Sequence, residues 1–81
     1  MSPTPVYLGV DIAKDSLDVH FLGQSHSLAN TTAGISRLIK MLSKHPDPGC
    51  LHIICEATGG YERALCTALH HNKTTLSVVN P

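Results

Sequence analysis

The sequence predicts a mixed α/β fold in which five strands form one sheet and two helices cover one of its faces. Several short stretches alternate apolar and polar residues, as half-buried strands do. Two longer stretches repeat apolar residues at helical spacing. Hydrophobic residues make up 42% and charged residues 15% of the 81 residues, which is typical of a globular domain rather than a disordered chain.

The first predicted strand, Val6 to Ile12, is the segment around which the others are organised. Its apolar residues fall at every second position, whereas Tyr7, Gly9 and Asp11 point to the other side. A glycine in the middle of a strand suggests that another group approaches the backbone closely at Gly9. Asp11, near the end of the strand, is either a turn-forming residue or a metal ligand on a rigid support.

A meander should follow this strand. Lys14 and Asp15 form a tight turn, and Leu17 to Leu22 forms a second strand that runs antiparallel to the first. A third, shorter strand lies around Ser25 to Ala29. The first helix comes next, because three good N-cap residues precede an apolar stripe: the caps are Asn30, Thr31 and Thr32, and the stripe is Ile35, Leu38, Ile39 and Leu42.

Two further strands and a second helix complete the predicted order. The fourth strand is Leu51 to Cys55, with Glu56 at its end, and the fifth is Leu76 to Val79. Between them, a turn at Thr58, Gly59 and Gly60 leads into a helix from about Tyr61 to His71, with the stripe Tyr61, Ala64, Leu65, Ala68 and Leu69.

The order β-β-β-α-β-α-β favours a sheet with the spatial order 3-2-1-4-5. Both crossovers then run in the same direction, and right-handed crossovers place both helices on the same face. That face should be apolar and carry Val6, Leu8, Val10, Leu17, Val19, Phe21, Leu51, Ile53, Cys55, Leu76 and Val78. The opposite face is much more polar and carries Asp11, Asp18, His20, His52, Ile54, Glu56 and Val79.

The overall charge gives no argument for a nucleic-acid partner, because six Lys and Arg residues balance six Asp and Glu residues. The three cysteines are odd in number and show no CxxC spacing, so they are interpreted as reduced thiols of a cytoplasmic protein. No signal peptide precedes the first strand, and no apolar run is long enough to span a membrane.

Two carboxylates form the main candidate site. Asp11 and Glu56 fall at the C-terminal ends of neighbouring parallel strands, where open α/β sheets bind their ligands. Two carboxylates there can hold a divalent cation that activates a nucleophile and stabilises a phosphoryl transition state. In the alternative interpretation, Asp11 caps a turn and Glu56 is an exposed charge at a strand end.

Other candidates are weaker. Lys14 could contact a DNA phosphate, although a lysine in a hairpin turn is usually solvated. The turn of Thr58, Gly59 and Gly60 could hold a phosphate at a helix N-terminus, although a plain strand-to-helix turn is the commoner case. A zinc site from three residues of the polar face is conceivable but lacks compact ligand spacing: His20, His52 and Glu56.

Four segments of the chain, taken together, resemble one known family. They are YLGVDIAKDSLDVHF, NTTAGISRLIKML, the stretch EATGGYERAL from Glu56 to Leu65, and LSVVNP. This set is similar to the N-terminal domain of the DEDD transposases, which are insertion-sequence transposases and site-specific recombinases related to the Piv DNA invertase. The resemblance covers nearly all of the chain, and the DIAK and EATGGYE blocks are specific in this order and spacing.

The resemblance implies a ribonuclease H-like, RuvC-like catalytic domain in which four acids bind Mg²⁺ or Mn²⁺ for DNA strand cleavage and transfer. Asp11 matches the first acid and Glu56 the second. The other two acids, and a further domain with an active-site serine, are expected beyond Pro81. Residues 1–81 would then be the N-terminal part of the catalytic domain. The resemblance implies DNA as a partner of the whole protein, and it also points to a guide RNA.

Two alternative functions stay open at this stage. One is a fragment of a sugar kinase or actin-like ATPase, whose folds also begin with an Asp-bearing hairpin. Those folds need Gly and Thr just after the Asp, whereas Ile12, Ala13 and Lys14 follow here. The other is a non-catalytic assembly module. With half an active site, the chain is expected to be inactive alone, and aliphatic residues on its polar face, Leu22, Ile54 and Val79, are expected to favour self-association.

Overall fold

Five strands form one mixed sheet in the computed structural model, which describes residues 4–21 and 23–80. The elements in chain order are β1 (Val6–Ile12), β2 (Ser16–Phe21), β3 (Gln24–Ala29), α1 (Thr32–Ser43), a 3₁₀ turn (Pro48–Cys50), β4 (Leu51–Glu56), α2 (Arg63–His71) and β5 (Thr75–Val79). Leu22, the predicted end of the second strand, lies outside the described residues. Neither helix has the length and apolarity needed to cross a bilayer.

The predicted topology is confirmed. The sheet order is β3-β2-β1-β4-β5, with β1 and β4, and β4 and β5, parallel and the two pairs of the meander antiparallel. This is the ribonuclease H-like arrangement that the family resemblance implies. Both helices lie on one face, because their apolar stripes are buried in a single cluster with alternate strand residues: Leu8, Val10, Leu17, Val19, Leu28, Ile35, Leu38, Leu42, Leu51, Ile53, Cys55, Leu65 and Leu69.

Helix α1 begins at one of the predicted cap residues. It also packs very closely against the edge strand, which the sequence alone does not indicate. Thr31 is the N-cap, and the backbone N–H of Gly34 donates to its Oγ1 at 3.1 Å. A Cβ atom built at Gly34 would overlap the backbone carbonyl oxygen of Ala29 in β3. Only glycine therefore allows this packing of α1 on the edge strand.

Helix α2 begins two residues later than predicted, so the expected stripe is wrong at Tyr61 and Ala64. Tyr61 is 49% exposed in the preceding turn, and Ala64 is exposed on the helix. The reason is a local hydrogen-bond network: the Thr58 hydroxyl and the Gly60 N–H both donate to Glu62 Oε2, at 2.9 and 3.0 Å. These bonds hold residues 59–62 in turns instead of a first helical turn.

Two expectations for individual strand residues are corrected. Val78 is 45% exposed instead of buried in the core, because β5 is an edge strand and only Leu76 of its predicted pair packs against the cluster. At Gly9, no atom of the described residues lies within 4 Å of the place that a Cβ atom would take, so nothing there approaches the backbone closely. Gly9 instead faces open space on the polar side of the sheet.

Candidate metal centre on the uncovered face

Asp11 and Glu56 lie side by side at the C-terminal ends of two neighbouring parallel strands. The pairing of β1 with β4 runs to Val10 opposite Cys55, and the next residue in each strand is one of the two acids. Val10 and Cys55 are 2% exposed in the core, so alternation directs both carboxylates to the opposite face, where both residues are exposed. We call this opposite side the uncovered face, because α1 and α2 both pack on the other one.

A row of side chains crosses the uncovered face at the level of Asp11. Asp18 of β2 lies directly opposite Asp11, and Ser27 of β3 lies directly opposite Asp18. On the other side, Glu56 is paired with Val79 of β5. We call these five residues the carboxylate row. Three of the six acidic residues of the chain therefore lie next to one another on adjacent strands.

Asp11 is held by a hydrogen-bond chain that the sequence did not predict. His20 Nε2–H donates to Asp11 Oδ2 at 3.1 Å, and the Ser25 hydroxyl lies 3.0 Å from His20 Nδ1. Because a carboxylate only accepts, the Nε2 atom carries a proton, and the Ser25 hydroxyl is the hydrogen-bond partner of Nδ1 on the other side of the ring. The signal available in the sequence was the hairpin register: His20 is opposite Gly9, which makes it the diagonal neighbour of Asp11.

The donor set of this site fits a hydrated Mg²⁺ or Mn²⁺ ion. Carboxylate oxygens are the preferred ligands of such ions, and Mg²⁺ is commonly held by one or two carboxylates while water and substrate phosphates complete its octahedron. His20 binds only Oδ2 of Asp11, which leaves the other carboxylate oxygen and both oxygens of Glu56 for a metal.

The zinc alternative is not supported by the part of the chain that the structure describes. Within residues 4–21 and 23–80, no group of three His, Cys, Asp or Glu side chains is arranged to hold a metal. His20 is bound to Asp11, and His52 Nε2 is instead hydrogen-bonded to Ser77 Oγ at 2.7 Å. These histidines point to different partners and do not converge on Glu56.

Asn30 joins the two loops that follow the carboxylates. Its Nδ2 donates to the backbone oxygen of Ala13 at 2.9 Å and to that of Tyr61 at 3.1 Å. Sequence analysis identified Asn30 only as a possible helix cap, a role that Thr31 fills. No periodicity marks an amide that bridges residues so far apart in the chain. Asn30 therefore fixes the loop after β1 relative to the loop after β4.

The structure places the predicted phosphate contacts around these loops. Lys14 is exposed at the bend between β1 and β2. The donors of Thr58 and Gly60 are already bound to Glu62, whose pKa is lowered by hydrogen bonds, first from its own backbone and then from the Thr58 hydroxyl. A phosphate at Gly59 would therefore sit beside an ionised carboxylate. Contact of this loop with DNA stays a prediction.

Comparisons with known proteins identify the family. The family model of the DEDD transposases of the IS110 type, described as transposase, matches residues 8–81. The pilin gene-inverting protein of Moraxella bovis is 35% identical over 82 residues, which cover 93% of this chain and 25% of that protein. The protein of the same name from Moraxella lacunata matches with the same identity and coverage. The chain thus spans about a quarter of the length of these curated relatives. Because the family match covers nearly all of its residues, the chain belongs to the DEDD transposase family.

Proposed function

We propose that residues 1–81 form the N-terminal part of a RuvC-like catalytic domain whose whole protein cleaves and transfers DNA strands with Mg²⁺ or Mn²⁺. The observation that carries this proposal is the adjacency of Asp11 and Glu56 on the uncovered face, at the C-terminal ends of parallel strands. Family membership supports DNA as the substrate, and the name of the Moraxella relatives describes the inversion of a gene. A protein that acts on DNA in this way would be cytoplasmic.

In this proposal, each residue of the site has a separate task. Asp11 and Glu56 would hold the cation, whose chemistry is to activate the attacking oxygen and stabilise the charge on the phosphoryl group. His20 keeps one oxygen of Asp11 fixed, so that the other is presented to the ion. The two remaining acids that the family resemblance implies would complete the ligand set.

The 81-residue chain by itself is expected to bind the ion weakly and to leave DNA intact. Two carboxylates supply a minority of six ligand positions, so water fills most of the octahedron. We therefore expect no metal-dependent nicking of supercoiled plasmid by the purified chain. Nicking that disappears in Asp11→Asn would contradict the inactivity while supporting the role of Asp11.

Metal binding can be tested separately from activity by titrating the ¹⁵N-labelled chain with Mn²⁺ and following paramagnetic line broadening. Broadening should be centred on the amides at the ends of β1 and β4. It should weaken in Asp11→Asn and Glu56→Gln, but not in the matched variant Asp47→Asn, whose acid lies before the 3₁₀ turn. Equal broadening in all four proteins would contradict the proposed site.

In the whole protein, Asp11→Asn should reduce strand cleavage by at least about 100-fold. Loss of an outer partner of a metal site lowers activity by up to about 100-fold, and loss of a direct ligand should cost at least as much.

The uncovered face also supports a proposal of self-association. Of the three aliphatic residues expected in solvent, Val79 is 42% exposed, Ile54 is only half-buried, and Leu22 lies outside the described residues. Tyr7 adds an exposed ring, and β3 and β5 leave their outer edges unpaired within the described residues. Because the acids of the carboxylate row would repel one another, edge pairing or an offset face contact in a two-fold dimer is favoured over direct stacking. Sedimentation velocity at micromolar concentration is the test. A monomer that Val79→Ser leaves unchanged would contradict it.

Guide RNA as a partner of the whole protein rests on the family resemblance alone. No observation in this chain favours the sugar-kinase or actin-like ATPase alternative, since Ile12, Ala13 and Lys14 replace the Gly and Thr that those folds require. ATP binding measured by calorimetry separates that alternative from the transposase proposal, and we expect none.

A further inference from the structure

A groove between β3 and α1 concentrates the positive charge of the chain. Its volume is about 510 Å³, and its lining includes Arg37 and Lys40 of α1, the C-cap Lys44, and Ser25, His26 and Ser27 of β3. We call it the basic groove. It contains three of the six Lys and Arg residues of the chain, and none of its lining residues is acidic. Although the net charge of the sequence is zero, its positive charges are therefore distributed unevenly over the surface.

The three cations are exposed and unneutralised. Arg37, Lys40 and Lys44 are all exposed, and within the described residues no carboxylate forms an ion pair with any of them. Their spacing of three and four residues puts them on one side of α1, separate from the buried stripe of the same helix. The row extends about 10 Å along the helix, since each residue rises about 1.5 Å.

The helix dipole accounts for only part of this arrangement. Lys40 lies in the last turn of α1 and Lys44 is its C-cap, where a cation is favourable. Arg37 is in the middle of the helix and gains little from the dipole, which acts within the terminal turns. A folding role does not explain Arg37 either, because its exposed side chain contributes nothing to the core.

The position of the basic groove relative to the carboxylate row suggests an occupant. Ser27 belongs to both, because it lines the groove and lies on the same rung as Asp18 and Asp11. Two strand spacings, or roughly 10 Å, separate β3 from β1. Because Ser27 faces the carboxylate row while α1 packs on the opposite side of the sheet, a chain of phosphates held in the groove would run along the outer edge of β3, about two strands from the candidate metal centre.

We propose that the basic groove binds the sugar-phosphate backbone of a nucleic acid strand, with Arg37, Lys40 and Lys44 each contacting a phosphate. A row of about 10 Å matches the axial rise of about three nucleotides in one strand of B-DNA, at about 3.4 Å per nucleotide. The biological meaning of this site rests on the proposed transposase function, whereas its existence as a polyanion site does not.

The test is fluorescence anisotropy with a labelled DNA duplex of about 20 base pairs and a single-stranded RNA of the same length, in EDTA, from about 50 to about 200 mM salt. EDTA makes the measurement independent of Asp11 and Glu56. The groove variant is Arg37→Gln/Lys44→Gln. The matched control, Arg63→Gln/Lys73→Asn, removes the same two charge types elsewhere, and asparagine suits the left-handed backbone of Lys73 (φ 60°).

We expect the wild-type chain to bind at low salt and the groove variant to bind at least about tenfold more weakly, with a salt slope that is smaller by about 2. The control should lose less than about threefold. Equal losses in the two variants, or no binding by the wild-type chain, would overturn the proposal.

The probe that binds more tightly shows whether DNA or RNA is the natural occupant. Circular dichroism of each variant confirms that the fold is retained, and binding that survives in Asp11→Asn shows that the groove is independent of the metal centre.

Discussion

The two faces of the sheet are built from the same strands and differ in almost every physical property. On the face under the helices, Leu8, Leu17 and Ile53 are completely buried. On the uncovered face, Tyr7 is 57% exposed and makes a tilted contact with His52, at 5.3 Å between ring centroids. Because side chains alternate along each strand, one face forms the buried core that stabilises the fold, and the other carries the exposed polar residues of the candidate site. Substitutions one residue apart should therefore have very different consequences.

The largest expected contrast is between two glycines. Gly34→Ala forces a methyl group into the carbonyl oxygen of Ala29, so α1 must move away from β3, and we expect a loss of at least about 3 kcal/mol in the free energy of unfolding. Gly9→Ala adds a methyl group in open space on the uncovered face and should change stability by less than about 1 kcal/mol, in the stabilising direction. Urea unfolding of both variants measures the contrast. Similar losses would mean that the two faces are not packed as described.

The next contrast compares neighbours in β1. Leu8 is fully buried, so Leu8→Ala should cost about 2 to 5 kcal/mol through lost burial and the cavity left behind. Tyr7→Ala removes only the contact with His52 and part of an exposed ring, for which we expect about 1 kcal/mol or less. Thermal unfolding of the two variants is sufficient. A larger loss for Tyr7→Ala would show that another element covers this face in solution.

The covered face should also resist the introduction of charge, which predicts an alkaline limit of stability. Burial, followed by the neighbouring Cys66 and Glu62, raises the pKa of the Cys55 thiol from 9.0 to about 11. Because the folded-state pKa lies above the unfolded value, the neutral thiol stabilises the fold fully below about pH 9. This contribution is lost as the pH rises toward about 11, for a total of roughly 2 to 3 kcal/mol.

The control for this prediction is Cys55→Val, which keeps an apolar side chain of similar size and cannot ionise. The difference in unfolding free energy between wild type and variant should be constant below about pH 9 and shift in favour of the variant above it. Urea unfolding over this range measures it. Parallel profiles throughout would mean that the Cys55 thiolate is accommodated in the folded protein.

The sequence was sufficient to predict the topology and the placement of Asp11 and Glu56. Alternation within each strand, short hairpin links and the handedness of the crossovers determine which residues share a face. Parallel strands end at the same edge of a sheet, so two acids at the ends of β1 and β4 had to meet. The prediction was less accurate at Val78 and Tyr61, where edge position and the hydrogen bonds of Glu62 override the apolar pattern.

Other features could not be predicted, because they depend on contacts between distant elements. The bond between His20 and Asp11 requires a particular pair of rotamers, and the bridge from Asn30 joins loops that only the finished fold brings together. The basic groove was missed for a different reason. Charge summed over the whole chain is zero, and the sum contains no information about where each sign lies.

The smallest expected effect on stability tests whether the uncovered face is organised for metal binding. The bond between His20 and Asp11 joins side chains that are 51% and 78% exposed, so His20→Ala should change the free energy of unfolding by less than about 1 kcal/mol. Loss of an outer partner that orients a metal ligand, however, typically lowers metal affinity by about 10-fold to 100-fold. We therefore expect Mn²⁺ titrations to show an affinity at least about tenfold lower for His20→Ala.

The variant His20→Gln, whose amide N–H can still donate to Asp11, should recover most of this loss of Mn²⁺ affinity. If His20→Ala and His20→Gln bind Mn²⁺ equally, whether as tightly or as weakly, His20 does not position Asp11, and the hydrogen bond between them is only a surface contact between two strands of a hairpin.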